Sequence, residues 1–132
     1  MTNPRQTLGR WGEGVAAGYL QTHGYTVLER NVRTPYGEID IIARQEFQNL
    51  DSSSGASQVI VFIEVKTRST RAFGPPEGSI TQRKQEHMLA AAQSYLQEHP
   101  ELDGDWRIDV IAIARYRPER KVEIYHFENA VQ

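Results

Sequence analysis

The chain has 132 residues, of which 39% are hydrophobic and 24% charged. These are proportions of a folded domain rather than of a disordered, collagen-like or coiled-coil chain, and the length predicts a single domain with one core. It has no cysteine, which excludes disulfides, thiol catalysis and thiolate metal sites, and its net charge of −2 argues against a protein that coats nucleic acid by overall positive charge.

Residues 1–10 hold no apolar run of the secretory-signal kind. Residues 7–22 are predicted as a helix, with Leu8, Trp11, Val15 and Tyr19 at helical spacing, Thr7 as N-cap and Gly24 near the stop. Three predicted strands follow, at residues 25–32, 38–43 and 59–66, each β-branched and bounded by turn residues. Residues 48–58 (QNLDSSSGASQ) and 67–78, with Gly74, Pro75, Pro76 and Gly78, read as flexible loops. Residues 79–99, closed by Pro100, are predicted as a second helix. Residues 106–114 and 121–127 give a fourth strand and a fifth, the last at a sheet edge. The order αβββαββ is that of an α/β chain with helices packed on a sheet. No apolar stretch reaches the ~18 residues of a membrane span, so the expected setting is the cytoplasm, with no membrane partner.

Acidic residues stand inside several of these apolar elements. In the third strand Ile60, Phe62, Glu64 and Lys66 share one face, and Val61, Ile63 and Val65 the other. Both faces are apolar at its start, which predicts a central strand. In the second strand alternation puts Glu38, Asp40 and Ile42 on one face, with Gly37, Ile39, Ile41 and Ala43 on the other. Asp is disfavoured in strands, yet Asp40 sits between two isoleucines. Antiparallel pairing of these strands would bring Asp40 near Glu64 and Lys66. Two converging carboxylates repel unless a cation or proton lies between them, and a hard divalent ion with oxygen ligands resolves the conflict.

Glu13 is the one ionisable residue within the apolar arc of the first helix and is flanked by Gly12 and Gly14. It is either a boundary residue reaching solvent or a third acid for the cluster. Lys84 occupies an apolar register with Ile80, Met88, Ala91 and Tyr95, either snorkelling or touching phosphate. Between residues 65 and 84, Lys66, Arg68, Arg71, Arg83 and Lys84 stand against Glu77 alone, as a solvated loop or a local phosphate contact. Asp109 either joins the acids or pairs with Arg107 or Arg68. The four histidines have no ligand spacing and carry no chemistry in this reading.

Asp40 followed by Glu64-Val65-Lys66 resembles the PD-(D/E)XK nuclease superfamily. With Gly12-Glu13, Gly37-Glu38-Ile39-Asp40, Thr67-Arg68, Phe73-Gly74-Pro75, Lys84 and Arg107-Ile108-Asp109, the chain resembles the YraN-like bacterial family over roughly residues 9–114. Ile39 stands where the superfamily pattern has proline. The resemblance implies a restriction-endonuclease-like fold, a mixed central sheet flanked by helices, near that of Holliday-junction resolvases. It implies that Asp40, Glu64, the Val65 backbone carbonyl and Glu13 hold Mg²⁺ or Mn²⁺. It further implies that Lys66 positions or activates the attacking water, and that Arg68, Arg71 and Lys84 line the approach of phosphates. Glu38 and Asp109 would support the ligands. The expected activity is Mg²⁺-dependent hydrolysis of DNA, including branched DNA. The alternatives are a nucleic-acid-binding module with little or no turnover and a structural protein with a Glu64–Lys66 ion pair. Resolution of two strands favours a two-fold dimer, through an exposed Trp106 edge or the fifth strand.

Overall fold

In the computed structural model the described residues are 4–48, 56–68, 80–116 and 121–131. The elements are α1 (Pro4–Thr22), β1 (Tyr25–Thr34), β2 (Gly37–Gln48), β3 (Ala56–Arg68), α2 (Gln82–Glu98), β4 (Asp105–Tyr116) and β5 (Lys121–Val131). The five strands form one sheet in the order β1-β2-β3-β4-β5. β3 and β4 run parallel, and every other neighbouring pair is antiparallel. The chain is therefore an α/β protein with a five-stranded mixed sheet and two flanking helices.

The sheet is covered on both faces. Ala16, Ala17 and Leu20 of α1 bury Ile41, Ala43, Val61, Ile63, Ile111 and Ile113. Ala91, Ala92 and Tyr95 of α2 bury Ile39, Ile42, Ile60, Phe62 and Ile108. Alternating residues of β3 thus enter opposite clusters, the pattern of a strand buried on both sides, and β3 is central as expected. The parallel β3–β4 pair requires a crossover, and α2 lies in it. Among the described residues no helix is long and apolar enough to cross a membrane.

Several expected boundaries move. The β2–β3 ladder continues out to Gln48↔Ala56, so residues 56–58 belong to β3 rather than to a loop. β3 likewise extends through Thr67 and Arg68 beside β4. The outer pairs lie beyond the core, where polar residues serve as well as apolar ones, and hydrophobic patterning does not mark them. α1 begins at Pro4, which places Thr7 inside the helix. α2 is capped by Thr81, whose side chain accepts from Lys84 N–H. Trp106 is not an exposed edge: it lies edge-on to Phe62 at 5.9 Å and is partly buried in the α2-side cluster. β5 is at the sheet edge as expected.

One close approach sets where α1 lies. Gly12 is buried. A Cβ there would fall inside contact distance of Thr67 Oγ1, 3.0 Å from Thr67 Cγ2 and 3.1 Å from its Cβ. Rotating Thr67 cannot clear all three atoms. The missing side chain therefore lets α1 rest on the end of β3, and Glu13 follows at the next position. Gly12→Ala is expected to destabilise the protein by about 2 kcal/mol despite alanine's better helix propensity. Gly12→Ala with Thr67→Ala should recover most of that loss in urea unfolding.

Candidate active site

β2 pairs with β3 from Gln48↔Ala56 as far as Ile41↔Ile63. Beyond Ile63, β3 continues beside β4 alone, to Arg68↔Ala114. Asp40 stands where the two strands part. Its Oδ2 accepts a hydrogen bond from the Val65 N–H at 2.9 Å, so a side chain takes over where the ladder stops. The strand also turns here. Ile39 packs with Ile42 on the α2 side, while Ile41 and Ala43 pack on the α1 side. Strict alternation, which groups Ile39 with Ile41, fails at Asp40 because β3 no longer holds the backbone.

Three carboxylates gather at this point. Glu13 of α1, Glu38 and Asp40 bring oxygens within 4.8 Å of one another. Asn31 of β1 stands beside them with φ of 54°, a left-handed conformation that Asn tolerates better than most residues. Its side-chain amide, oriented to donate, lies 3.1 Å from Glu13 Oε2 and 3.1 Å from Glu38 Oε1. One donor group thus ties two of the three acids.

Burial pushes the Asp40 carboxyl up to about 7, and the charges of Glu64 and Glu13 push the same way. The Val65 N–H and Lys84 act against this and do not cancel it. Burial also raises Glu13, with Arg30 and Asn31 opposing and Glu38 adding. The donors are all hard carboxylate oxygens, with no sulfur or imidazole, and their mutual repulsion is what a divalent cation relieves. That set fits Mg²⁺ or Mn²⁺.

Glu64 is buried and turned toward lysines. Lys66 Nζ lies 3.7 Å and Lys84 Nζ 3.5 Å from its Oε1. Lys84 thereby joins α2 to β3, so its place in an apolar stripe is explained by an ion pair. Glu38, expected only to support the ligands, is inside the carboxylate group, whereas Glu64, expected to be a ligand beside Asp40, is ion-paired next to it. The contact of Val65 with Asp40 is through its N–H. Arg68 lies at the end of β3, and Arg71 falls outside the described residues.

Asp109 belongs to a separate arrangement. It is fully buried and accepts from Arg107 Nε at 3.0 Å, from Asn129 N–H at 2.9 Å and from His126 Nε2 at 2.7 Å. Arg107 also donates to Tyr25 Oη at 2.9 Å, and the other ring nitrogen of His126 meets Tyr19 Oη at 3.1 Å. None of these partners is among the acids around Asp40. Burial favours the protonated form of Asp109, but His126, Arg107 and Asn129 together hold its carboxyl below the ordinary value. This network locks β5 to β4 and to α1, and it gives His126 a structural role.

Residues 12–113 match the family described as "Uncharacterised protein family UPF0102". The chain belongs to the UPF0102 family. It is 43% identical over 130 residues to the UPF0102 protein of Syntrophotalea carbinolica, covering 98% of this chain and 95% of the relative. It is 38% identical over 132 residues to that of Geobacter metallireducens, covering 100% and 98%. With the UPF0102 protein DehaBAV1_0707 of Dehalococcoides mccartyi, identity is 36% over 124 residues, with 94% and 93% covered. The span matched to UPF0102 contains both the carboxylate group and the Glu64–Lys66–Lys84 group.

Asn31 was not legible as part of the site. Its only sequence signal is that Asn accepts positive φ, and the strand pattern around it gives no reason to expect that.

Two expectations separate the acids. The folded pKa of Asp40 lies above its ordinary 3.8, so its contribution to stability is full below about pH 4 and is lost as pH rises through 7. The metal-free protein should lose roughly 2–4 kcal/mol across that window. Asp40→Asn should remove most of the slope in thermal unfolding measured against pH. Asp109→Asn should cost about 3 kcal/mol, because it unpairs buried charge, yet leave Mn²⁺ affinity measured by calorimetry unchanged.

Proposed function

We propose that this protein is a Mg²⁺- or Mn²⁺-dependent nuclease that hydrolyses DNA phosphodiester bonds, with branched DNA among its substrates. On this reading it has a restriction-endonuclease-like fold of the PD-(D/E)XK superfamily. The observation that carries the reading is Asp40, fixed on the Val65 N–H at the parting of β2 and β3, with Glu13 and Glu38 on one side and the Glu64–Lys66–Lys84 ion pairs on the other. A structural protein gains nothing from crowding three carboxylates around a buried fourth, whereas metal-assisted phosphoryl chemistry uses such an arrangement.

Asp40, Glu13 and Glu38 would hold the ion, with Glu64 completing the set when it leaves its lysines. A bound divalent ion stabilises the charge that builds on phosphate oxygens and favours deprotonation of water. The chain's own groups do the rest. Lys66 donates to a phosphate oxygen or to the attacking water, and Lys84 adds positive charge on the same side. Arg68, at the end of β3, extends that charge along the approach. The water oxygen forms the new bond to phosphorus in line with the ester oxygen and gives up a proton to solvent, while the P–O ester bond breaks and the departing oxygen takes up a proton from solvent. Asn31 and the Val65 N–H fix the carboxylates and leave the reaction itself to them and the lysines.

Cleavage of linear, flapped and four-way-junction DNA in Mg²⁺ or Mn²⁺ tests this. Asp40→Asn and Glu64→Gln are each expected to lower the rate about 100-fold or more, with folding checked by circular dichroism. Glu64→Gln should keep DNA binding or tighten it, since it removes repulsion of phosphate. Wild type that binds these DNAs but cuts none would leave a binding module. Failure to bind any of them would end the nucleic-acid reading.

A further inference from the structure

Asn31 adds no charge to the carboxylate group, yet it holds two of its three members. In the β1–β2 ladder Arg30 pairs with Ile41 and Val32 with Ile39, which places Asn31 opposite Asp40. Its φ of 54° is left-handed backbone within a strand, a conformation that asparagine and glycine adopt more readily than other residues. Asn31 is exposed, so core packing does not require that departure. What its side chain meets is one carboxylate from each of two other elements. The amide nitrogen lies 3.1 Å from Glu13 Oε2 of α1 and 3.1 Å from Glu38 Oε1 of β2. Both hydrogens of one NH₂ group are thus engaged by two acids that repel each other.

That arrangement constrains how the acids can meet an ion. A carboxylate ligates through one oxygen or through both. With Glu13 Oε2 and Glu38 Oε1 each serving the amide, ligation through both oxygens of either acid draws on an oxygen already engaged. Ligation through one oxygen need not. Divalent cations differ in this respect. Ca²⁺ gathers about six to eight oxygens in flexible geometry and takes carboxylates through one oxygen or both. Mg²⁺ is smaller, demands near-octahedral geometry and keeps water at several positions. Mn²⁺ accepts the same octahedral oxygen set. Groups that bond to the ligands rather than to the ion shift metal affinity by about 10–100-fold.

We infer that Asn31 is a positioning residue that sets the cation preference of this site, holding Glu13 and Glu38 to one oxygen each and so favouring Mg²⁺ and Mn²⁺ over Ca²⁺. This rests on the metal-binding part of the nuclease reading. It adds which divalent ion the site disfavours and the group responsible.

The test measures free Mn²⁺ by electron paramagnetic resonance with the full chain, then displaces bound Mn²⁺ with Mg²⁺ or with Ca²⁺. Wild type is expected to bind Mn²⁺ and to release it at a lower concentration of Mg²⁺ than of Ca²⁺. Asp40→Asn should abolish the binding, which locates the ion. Asn31→Gly accepts the positive φ and removes the amide. Asn31→Asp keeps the side-chain shape, removes the donors and adds a negative charge. The two variants change the charge of the site differently, yet each should move the ratio of Mg²⁺ to Ca²⁺ affinity about tenfold toward Ca²⁺, with folding checked by circular dichroism. A merely structural role would move both affinities together and leave the ratio alone. A ratio unchanged in either variant, or wild type that binds Ca²⁺ as tightly as Mg²⁺, overturns the role of Asn31 and leaves the metal site standing. Wild type that binds no Mn²⁺, or binding that survives in Asp40→Asn, overturns the metal site as well.

Discussion

The hydrogen bond from Val65 N–H to the Asp40 carboxylate replaces sheet pairing with a side-chain contact at the point where β2 and β3 separate. Much else follows from that substitution. The strands can part without leaving that backbone donor unsatisfied, a condition most buried amides must meet. The gap admits Glu13, but only because Gly12 lets α1 rest on Thr67. Past the parting β3 pairs with β4 alone, and alternation with Ile60 and Phe62 turns Glu64 to the α2 side, where it meets Lys84 as well as Lys66. A protonated or amide side chain at position 40 could keep the donor satisfied. It would not keep the charge.

Three buried or partly buried acids show how differently the fold treats a carboxylate. Asp109 has an arginine, a histidine and a backbone N–H, and its carboxyl is held low. Glu64 has two lysines on one oxygen. Asp40 has one backbone donor and faces acids on more than one side, and its carboxyl rises to about 7. A carboxylate with its partners complete is architecture. One that is buried with partners of its own sign is held at an energetic cost that an added cation would offset, and such perturbed groups concentrate at functional sites. By this criterion the centre lies at Asp40, although Asp109 is the more deeply buried.

Much of this was legible in the sequence. Asp40 between two isoleucines, Glu64-Val65-Lys66 at the end of an apolar strand, and Glu13 beside glycines each break a local rule. Conflicts between local pattern and composition concentrate at functional sites. The element order and the central position of β3 were also legible, because each depends on periodicity alone. What periodicity could not give were consequences of departing from it. The side taken by Ile39 depends on where β2 leaves β3. The inclusion of Glu38 depends on that same turn, and that of Asn31 on a positive φ within a strand. Asp109 meets His126 through the β4–β5 pairing, whose register shifts between Ile108 and Val110, and residue spacing does not encode that contact.

The charge layout bears on how a polyanion could reach such a site. The chain is net negative, and its acids crowd at Asp40, so without a cation the centre repels phosphate. Lys66 and Lys84 lie next to it, but both are committed to Glu64. Asp40, Glu13 and Glu38 are the residues that would hold a cation, whose charge would offset their repulsion of phosphate, and Lys66 and Lys84 would be free to meet phosphate only to the extent that Glu64 left them. Cation and phosphate would then bind with positive coupling, each improving the site for the other.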